Sequence, residues 1–178
     1  MFVLHGSSRP HGNTEQLTHM LLEGVQTEEV YLRNHTIQPI TDQRHDAEGF
    51  QPIDDDYEGI IKRMLEHDTI VFATPLYWYG MSGYMKNFVD RWSQSLRDAS
   101  LHFKERMKDK KLYVVIVGGD NPKLKALPLI AQFQYIFDFV GASFEGYIIG
   151  SANAPGEIVD DKEATEKAKL YNQIFKKN

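Results

Sequence analysis

Cysteine is absent from the 178 residues of this chain. That excludes disulfides, thiolate metal centres and iron–sulfur ligation by the chain's own side chains. Apolar stretches long enough to span a membrane are also missing. The short apolar start Met1–Leu4 runs straight into a polar loop, so no secretory signal is expected and a cytoplasmic setting follows by default. Positive charge is in the minority: 20 Lys and Arg against 25 Asp and Glu leave a net charge of −5. Nucleic acid calls for a basic face, so neither nucleic acid nor membrane is expected as a partner. Internal repeats, low-complexity tracts and interdomain linkers are missing too, and the length suits one domain spanning 1–178.

What the chain does have is an unusual polar loop, Gly6–Ser7–Ser8–Arg9–Pro10–His11–Gly12–Asn13–Thr14, set between the strand Phe2–His5 and a helix expected over Asn13–Val25. A strand turning through Gly, Ser, Asn and Thr into a helix aims backbone N–H groups at whatever lies above the turn, and the helix dipole adds partial positive charge. Ser7, Ser8 and Thr14 add hydroxyls, and Arg9 adds a permanent charge. Gly6 and Gly12 are one residue too far apart for a Walker A loop, and Asn13 stands where its Lys must be. The dinucleotide fingerprint is absent as well. A single phosphate fits best. A helix N-cap without a ligand uses the same residue types, although such a cap needs no cation such as Arg9.

Further on, Glu28–Leu32 reads as a second strand, and Asn34–Asp55 carries no periodicity and is longer than ordinary connections. Asp54, Asp55 and Asp56 precede an amphipathic helix through Leu65. Carboxylates there cap a helix more readily than they bind a metal, and no metal site is assigned. Thr69–Thr74 and Leu112–Val117 are near-continuous apolar runs of the kind that form buried parallel strands. A helix is expected after Gly83 with Met85, Phe88, Val89, Trp92 and Leu96 on one face. Another is expected over Lys125–Val140, then a strand over Phe144–Ile149 and a helix over Asp161–Lys176.

Five strands alternating with helices make an α/β fold, a parallel sheet covered on both faces. With strand order 2-1-3-4-5, the loops Gly6–Thr14, Pro75–Gly83 and Gly118–Asn121 converge beyond the carboxyl ends of the strands, where such sheets bind ligands. The first loop suits a phosphate. The others offer glycines, free N–H groups and flat aromatic surfaces for a polar planar ring. Together they describe FMN. The alternative for the aromatics is a subunit interface or a core plug.

The chain resembles the flavodoxin-like NADPH-dependent FMN reductases, closest to their iron–sulfur flavoprotein branch and related NAD(P)H-dependent FMN-containing oxidoreductases. The likeness rests on Gly6 to Thr14, Asp54–Asp55, the run from Pro75 through Gly83 to Arg91, and Gly118–Gly119. It implies a flavodoxin-like three-layer sandwich with a five-stranded parallel sheet. It also implies that Ser7, Arg9, Gly12, Asn13 and Thr14 hold the FMN phosphate, and that Pro75, Leu76, Tyr77, Trp78, Tyr79, Gly80, Gly118 and Gly119 hold the ring. Cluster cysteines of the iron–sulfur branch belong in Asn34–Asp55, and none is present. The implied activity is hydride transfer from NADPH or NADH through FMN to a small-molecule acceptor such as a quinone, a nitro compound or free flavin, with no catalytic acid or base. A flavodoxin-type electron carrier is the alternative. A homodimer or homotetramer is expected, its interface formed by the helix after Gly83, where Tyr84, Met85, Phe88, Val89 and Trp92 exceed one buried stripe, together with Ile37, Ile40 and Phe50.

Overall fold

The computed structural model describes residues Met1–Lys177. Its elements are β1 (Phe2–His5), α1 (Asn13–Leu22), β2 (Glu28–Tyr31), α2 (Tyr57–Leu65), β3 (Thr69–Pro75), α3 (Gly83–Asp90), α4 (Trp92–Ser95), α5 (Phe103–Met107), β4 (Lys111–Gly118), α6 (Pro122–Lys125), α7 (Leu127–Val140), β5 (Ser143–Ser151) and α8 (Lys162–Phe175). The strands form one parallel sheet in the order β2-β1-β3-β4-β5, the flavodoxin-like arrangement.

The period of two in a strand divides each apolar run between the faces. Phe2, Leu4, Ile70, Phe72, Val114 and Ile116 meet α2, α3, α4, α5 and α7 on one side. Val3, Val71, Ala73, Val115 and Val117 meet α1 and α8 on the other. Burial on both faces is why β3 and β4 read as continuous hydrophobic segments.

Several boundaries differ from the expectation. The first helix stops at Leu22, because Glu23 turns extended and Gly24 takes a φ of 71°. The helix after Gly83 is interrupted at Arg91, so α3 and α4 are separate segments. The expected Lys125–Val140 helix is α6 followed by α7, with Pro128 in the first turn of α7 and Gly141 closing it in the left-handed region. The short α5 carries no sequence signal beyond Phe103 and Met107, which anchor it in the core. Asn34–Asp55 is irregular, as expected. The Asp run caps and tethers: Asp55 accepts from Tyr57 N at 3.0 Å and Gln38 N at 2.9 Å, and Asp56 accepts from Thr36 N at 2.7 Å.

Less of the surface expected to form the subunit interface is exposed than its composition suggests, and Ile37, Ile40 and Phe50 are half-buried. Met85, Phe88, Val89 and Trp92 are buried within the chain's own core, and only Tyr84 is exposed. The helix packs against more than the sheet: Phe88 meets Tyr57 of α2, and Trp92 meets both Phe72 of β3 and Phe103 of α5. Exposed apolar side chains gather instead along α6 and α7, at Leu124, Leu127, Tyr135 and Phe139.

Candidate functional site

The carboxyl ends of β1, β3, β4 and β5 open onto one cleft. A cavity of about 290 Å³ is lined by Ser7, Arg9, Gly12, Asn13, Thr14, Pro75, Leu76, Tyr77, Gly118 and Gly119, with Val117, Ala152 and Asn153. A neighbouring cavity of about 450 Å³ shares Leu76, Gly119 and Asn153 and adds Trp78, Tyr79 and Asp120. Of the residues singled out in the sequence, twelve of the thirteen therefore line the two cavities. Gly80 does not; it closes a turn behind them. Ala152 and Asn153 carry no expectation from the sequence, while Asp120 belongs to the Gly118–Asn121 loop expected at the site without being singled out. The signal for the first two was available, since small and polar residues follow β5, which pairs with β4.

At one end, α1 begins without a side-chain cap. Gly12 occupies the N-cap position in extended conformation, and the first intrahelical bond is Gln16 N to Gly12 O at 3.0 Å. The N–H groups of Asn13, Thr14 and Glu15 have no acceptor among the described residues. The Arg9 side chain is exposed, and its guanidinium has no partner among them either. Unmatched donors and an unmatched cation at the positive end of a ten-residue helix make an anion cradle. Ser7 shapes it: its hydroxyl accepts from Arg9 N at 3.2 Å and lies 3.1 Å from Arg9 O, closing the loop upon itself. The Asn13 amide is engaged elsewhere, donating to Ala154 O at 2.8 Å and accepting from Gly156 N at 2.9 Å. What Asn13 leaves to the cradle is its backbone N–H, while its side chain clamps the loop after β5. Glu157 steadies that loop by accepting from the N–H groups of Asn153 and Ala154, both at 2.8 Å, and these bonds hold its carboxyl below the usual range.

The floor of the cleft is bare backbone for packing reasons. A Cβ at Gly118 would lie 3.0 Å from Leu76 Cβ, and one at Gly119 would lie 2.9 Å from Asn153 Oδ1. Above it, Tyr77 and Gly80 exchange N–H···O bonds of 3.0 and 2.9 Å across a two-residue tip. The tip residues Trp78 and Tyr79 have φ of 48° and 62°, the primed hairpin geometry that usually selects Asn and Gly. Tyr77 reaches back to Ser8, 3.2 Å between hydroxyls, and Tyr79 reaches forward to Asp120 at 2.8 Å. Lys125 and Tyr79, in that order of effect, keep the Asp120 carboxyl ionised below its usual range. Trp78, between two anchored tyrosines, is 97% exposed.

Comparison with known proteins places these residues in context. The model of the family described as NADPH-dependent FMN reductase matches residues 1–138. YwqN of Bacillus subtilis, whose name describes an NAD(P)H-dependent FMN-containing oxidoreductase, is 50% identical over 93% of this chain and 92% of its own. An iron–sulfur flavoprotein of Methanocaldococcus jannaschii is 38% identical over 93% of this chain and 90% of its own. Among solved structures, the Trp repressor binding protein from Bacillus subtilis superposes with a TM-score of 0.81 at 46% identity, covering 96% of this chain and 98% of that one. An azoreductase from Bacillus anthracis shares the fold, with a TM-score of 0.70 at 15% identity over 99% and 98% of the two chains.

Proposed function

The chain belongs to the NADPH-dependent FMN reductase family, and from that premise we propose that the cleft holds FMN with its phosphate at the start of α1 and its ring between the Leu76–Tyr79 and Gly118–Gly119 loops. The protein is an FMN-dependent oxidoreductase using NAD(P)H. The observation that carries the site assignment is the cradle itself: an uncapped helix start beside an unpaired Arg9, at the place where four strand ends meet. Its donors suit a phosphate, and the neighbouring cavity of about 450 Å³ falls within the range of small-ligand sites.

When bound, FMN supplies the hydride and electron transfer between NAD(P)H and a second acceptor. The chain's part is to bind, orient and shield. Asn13 and Thr14 N–H groups with Arg9 neutralise the phosphate. Gly118 and Gly119 let main chain approach a planar ring closely. The N–H groups of Trp78 and Gly119 have no acceptor among the described residues, leaving two fixed donors for ring oxygens and nitrogens and for the negative charge that reduction brings. No residue is assigned as general acid or base. We take the acceptor to be a small planar molecule, a quinone, a nitro compound or free flavin, entering beside the exposed Trp78. The whole chain acts as one FMN-binding domain, because Ala152 and Asn153 close the cleft from beyond β5. It assembles as a homodimer or homotetramer through the face where α7 meets α3 and α4, an apolar groove of about 600 Å³ lined by Val89, Trp92, Tyr135 and Phe139.

Anaerobic addition of NADPH, then NADH, to the FMN-loaded protein tests the reading. Bleaching of the oxidised flavin band, followed by recovery on adding a quinone or nitroaromatic, is expected. A bound flavin inert to both nucleotides would make the protein an electron carrier.

A further inference from the structure

A second constellation lies on the α1 side of the sheet, at its β2 edge. His5, the last residue of β1, is 1% exposed, and its ring stacks on Tyr31 at 4.3 Å with 6° between planes. Its Nε2 lies 2.8 Å from Glu29 Oε2. From α1, His19 brings its own Nε2 to 3.5 Å from the same oxygen. The three atoms lie within 4.8 Å of one another. We propose that His5, His19 and Glu29 form a binding site for one divalent transition-metal ion of the zinc class.

The donor chemistry selects the ion. Two imidazoles and a carboxylate suit zinc, nickel or copper, whereas calcium and magnesium demand oxygen ligands. Zinc bonds to nitrogen and oxygen are about 2.0–2.2 Å, so tetrahedral ligands sit about 3.3 Å apart. The observed 2.8 and 3.5 Å bracket that spacing, and small side-chain movements would admit the ion. The surroundings are already ordered. Thr27 Oγ1 holds the other Glu29 oxygen at 3.2 Å, stacking fixes the His5 ring, and the Tyr31 hydroxyl lies 3.0 Å from Glu29 Oε2 and 3.2 Å from His19 Nε2, where it or a water completes the set. Arg33, 4.6 Å over the Tyr31 ring, is paired with Glu15 at 2.9 Å, so its charge is matched. His19, 46% exposed, gives entry from solvent. None of the three residues lines the FMN cleft, so the site stands apart from the proposed chemistry. An ion here ties β1, α1 and the four-residue edge strand β2 together.

The test is calorimetric titration of Zn²⁺ into the full chain carrying no affinity tag, alongside thermal melting with and without Zn²⁺. Saturable binding of one equivalent and a raised melting temperature are expected for the unmodified protein. His19→Ala and Glu29→Gln should each weaken binding by about tenfold or more, while His102→Ala, on the exposed end of α5, should bind as the parent does. His19 is a surface residue, so its removal leaves folding intact. Magnesium should give no signal. Absence of saturable binding, or equal binding by the parent and His19→Ala, overturns the proposal.

Discussion

Arg91 Nη1 donates to Asp55 Oδ2 across 2.6 Å, and both side chains are 1% exposed. The same guanidinium donates to Gln38 O at 3.1 Å and Gln94 Oε1 at 2.8 Å, and lies 4.5 Å over the Tyr57 ring. One buried cation therefore joins the long Asn34–Asp55 segment to the junction of α3 and α4. Removing one partner of such a pair strands a buried charge, at a cost of about 3–5 kcal/mol. Arg91→Ala should be destabilised on that scale in urea denaturation.

The same pair predicts an acid dependence. Burial by itself raises the Asp55 carboxyl, but bonds from Gln38 N, Arg91 and Tyr57 N together outweigh it and hold the group below its usual value. A carboxyl depressed in the folded state contributes fully above the unfolded pKa of about 3.9, and that contribution fades as pH falls through the folded value. Stability of the parent should thus drop more steeply below about pH 4 than that of Asp55→Asn, which has no proton to take up. Parallel slopes for the two proteins would refute this.

Arg9→Ala should weaken FMN but spare riboflavin. A hydrogen bond to a charged group is worth about 1.5–3 kcal/mol, or roughly ten- to a hundredfold in affinity. Because Arg9 is exposed and unpaired, the melting temperature of the apoprotein should not change. Titration of both ligands into apoprotein separates the outcomes; an equal effect on riboflavin would place the phosphate elsewhere.

Gly119→Ala tests the bare floor of the cleft. The added carbon would lie 2.9 Å from Asn153 Oδ1 and 3.1 Å from Asn153 Cβ, so one of the two loops must move. FMN affinity should fall by about five- to a hundredfold, since overpacking costs about 1–3 kcal/mol, with secondary structure unchanged by circular dichroism. Undiminished affinity would remove this loop from the flavin site.

Trp78→Gly should separate stability from activity. Left-handed backbone costs a non-glycine residue about 1–2 kcal/mol, and glycine's extra unfolded entropy offsets about 0.5–1 of that. Stability should stay level or rise slightly. A residue kept strained and solvent-exposed beside the cleft points to use: KM for a quinone or nitro acceptor should rise severalfold, with the rate of flavin reduction by NADPH retained. An unchanged KM would clear Trp78 of contact with the acceptor.

Tyr135→Glu with Phe139→Glu should reduce the oligomer to monomer in sedimentation velocity, because a charge desolvated in an apolar contact is costly. Both positions are exposed in the single chain, so its fold should survive. An unaltered sedimentation coefficient would move the interface off α7.

Local physics made much of this protein readable from its residues. The apolar runs at Thr69–Thr74 and Leu112–Val117 specify strands buried on both faces, and Gly6–Thr14 announces a turn into a helix start, because both signals lie within a few adjacent residues. The structure brings those loops to one cleft, as the strand order requires. Other features depend on partners remote in sequence. Nothing near Arg91 foretells a helix break; the break accompanies a charge buried against Asp55, which arrives from before α2. Asn13 reads as a ligand residue, yet its amide is taken by the loop after β5. Phe88 and Trp92 look excessive for one stripe until Tyr57 of α2 and Phe103 of α5 are seen to pack against them. His5, His19 and Glu29 fall on three elements with no shared motif. Periodicity and turn chemistry set which segments form and which loops lie at strand ends. Which polar groups are consumed by distant partners, and which are left free for a ligand, was decided only when the chain packed, because a hydrogen bond or ion pair has a short range in space and none along the sequence.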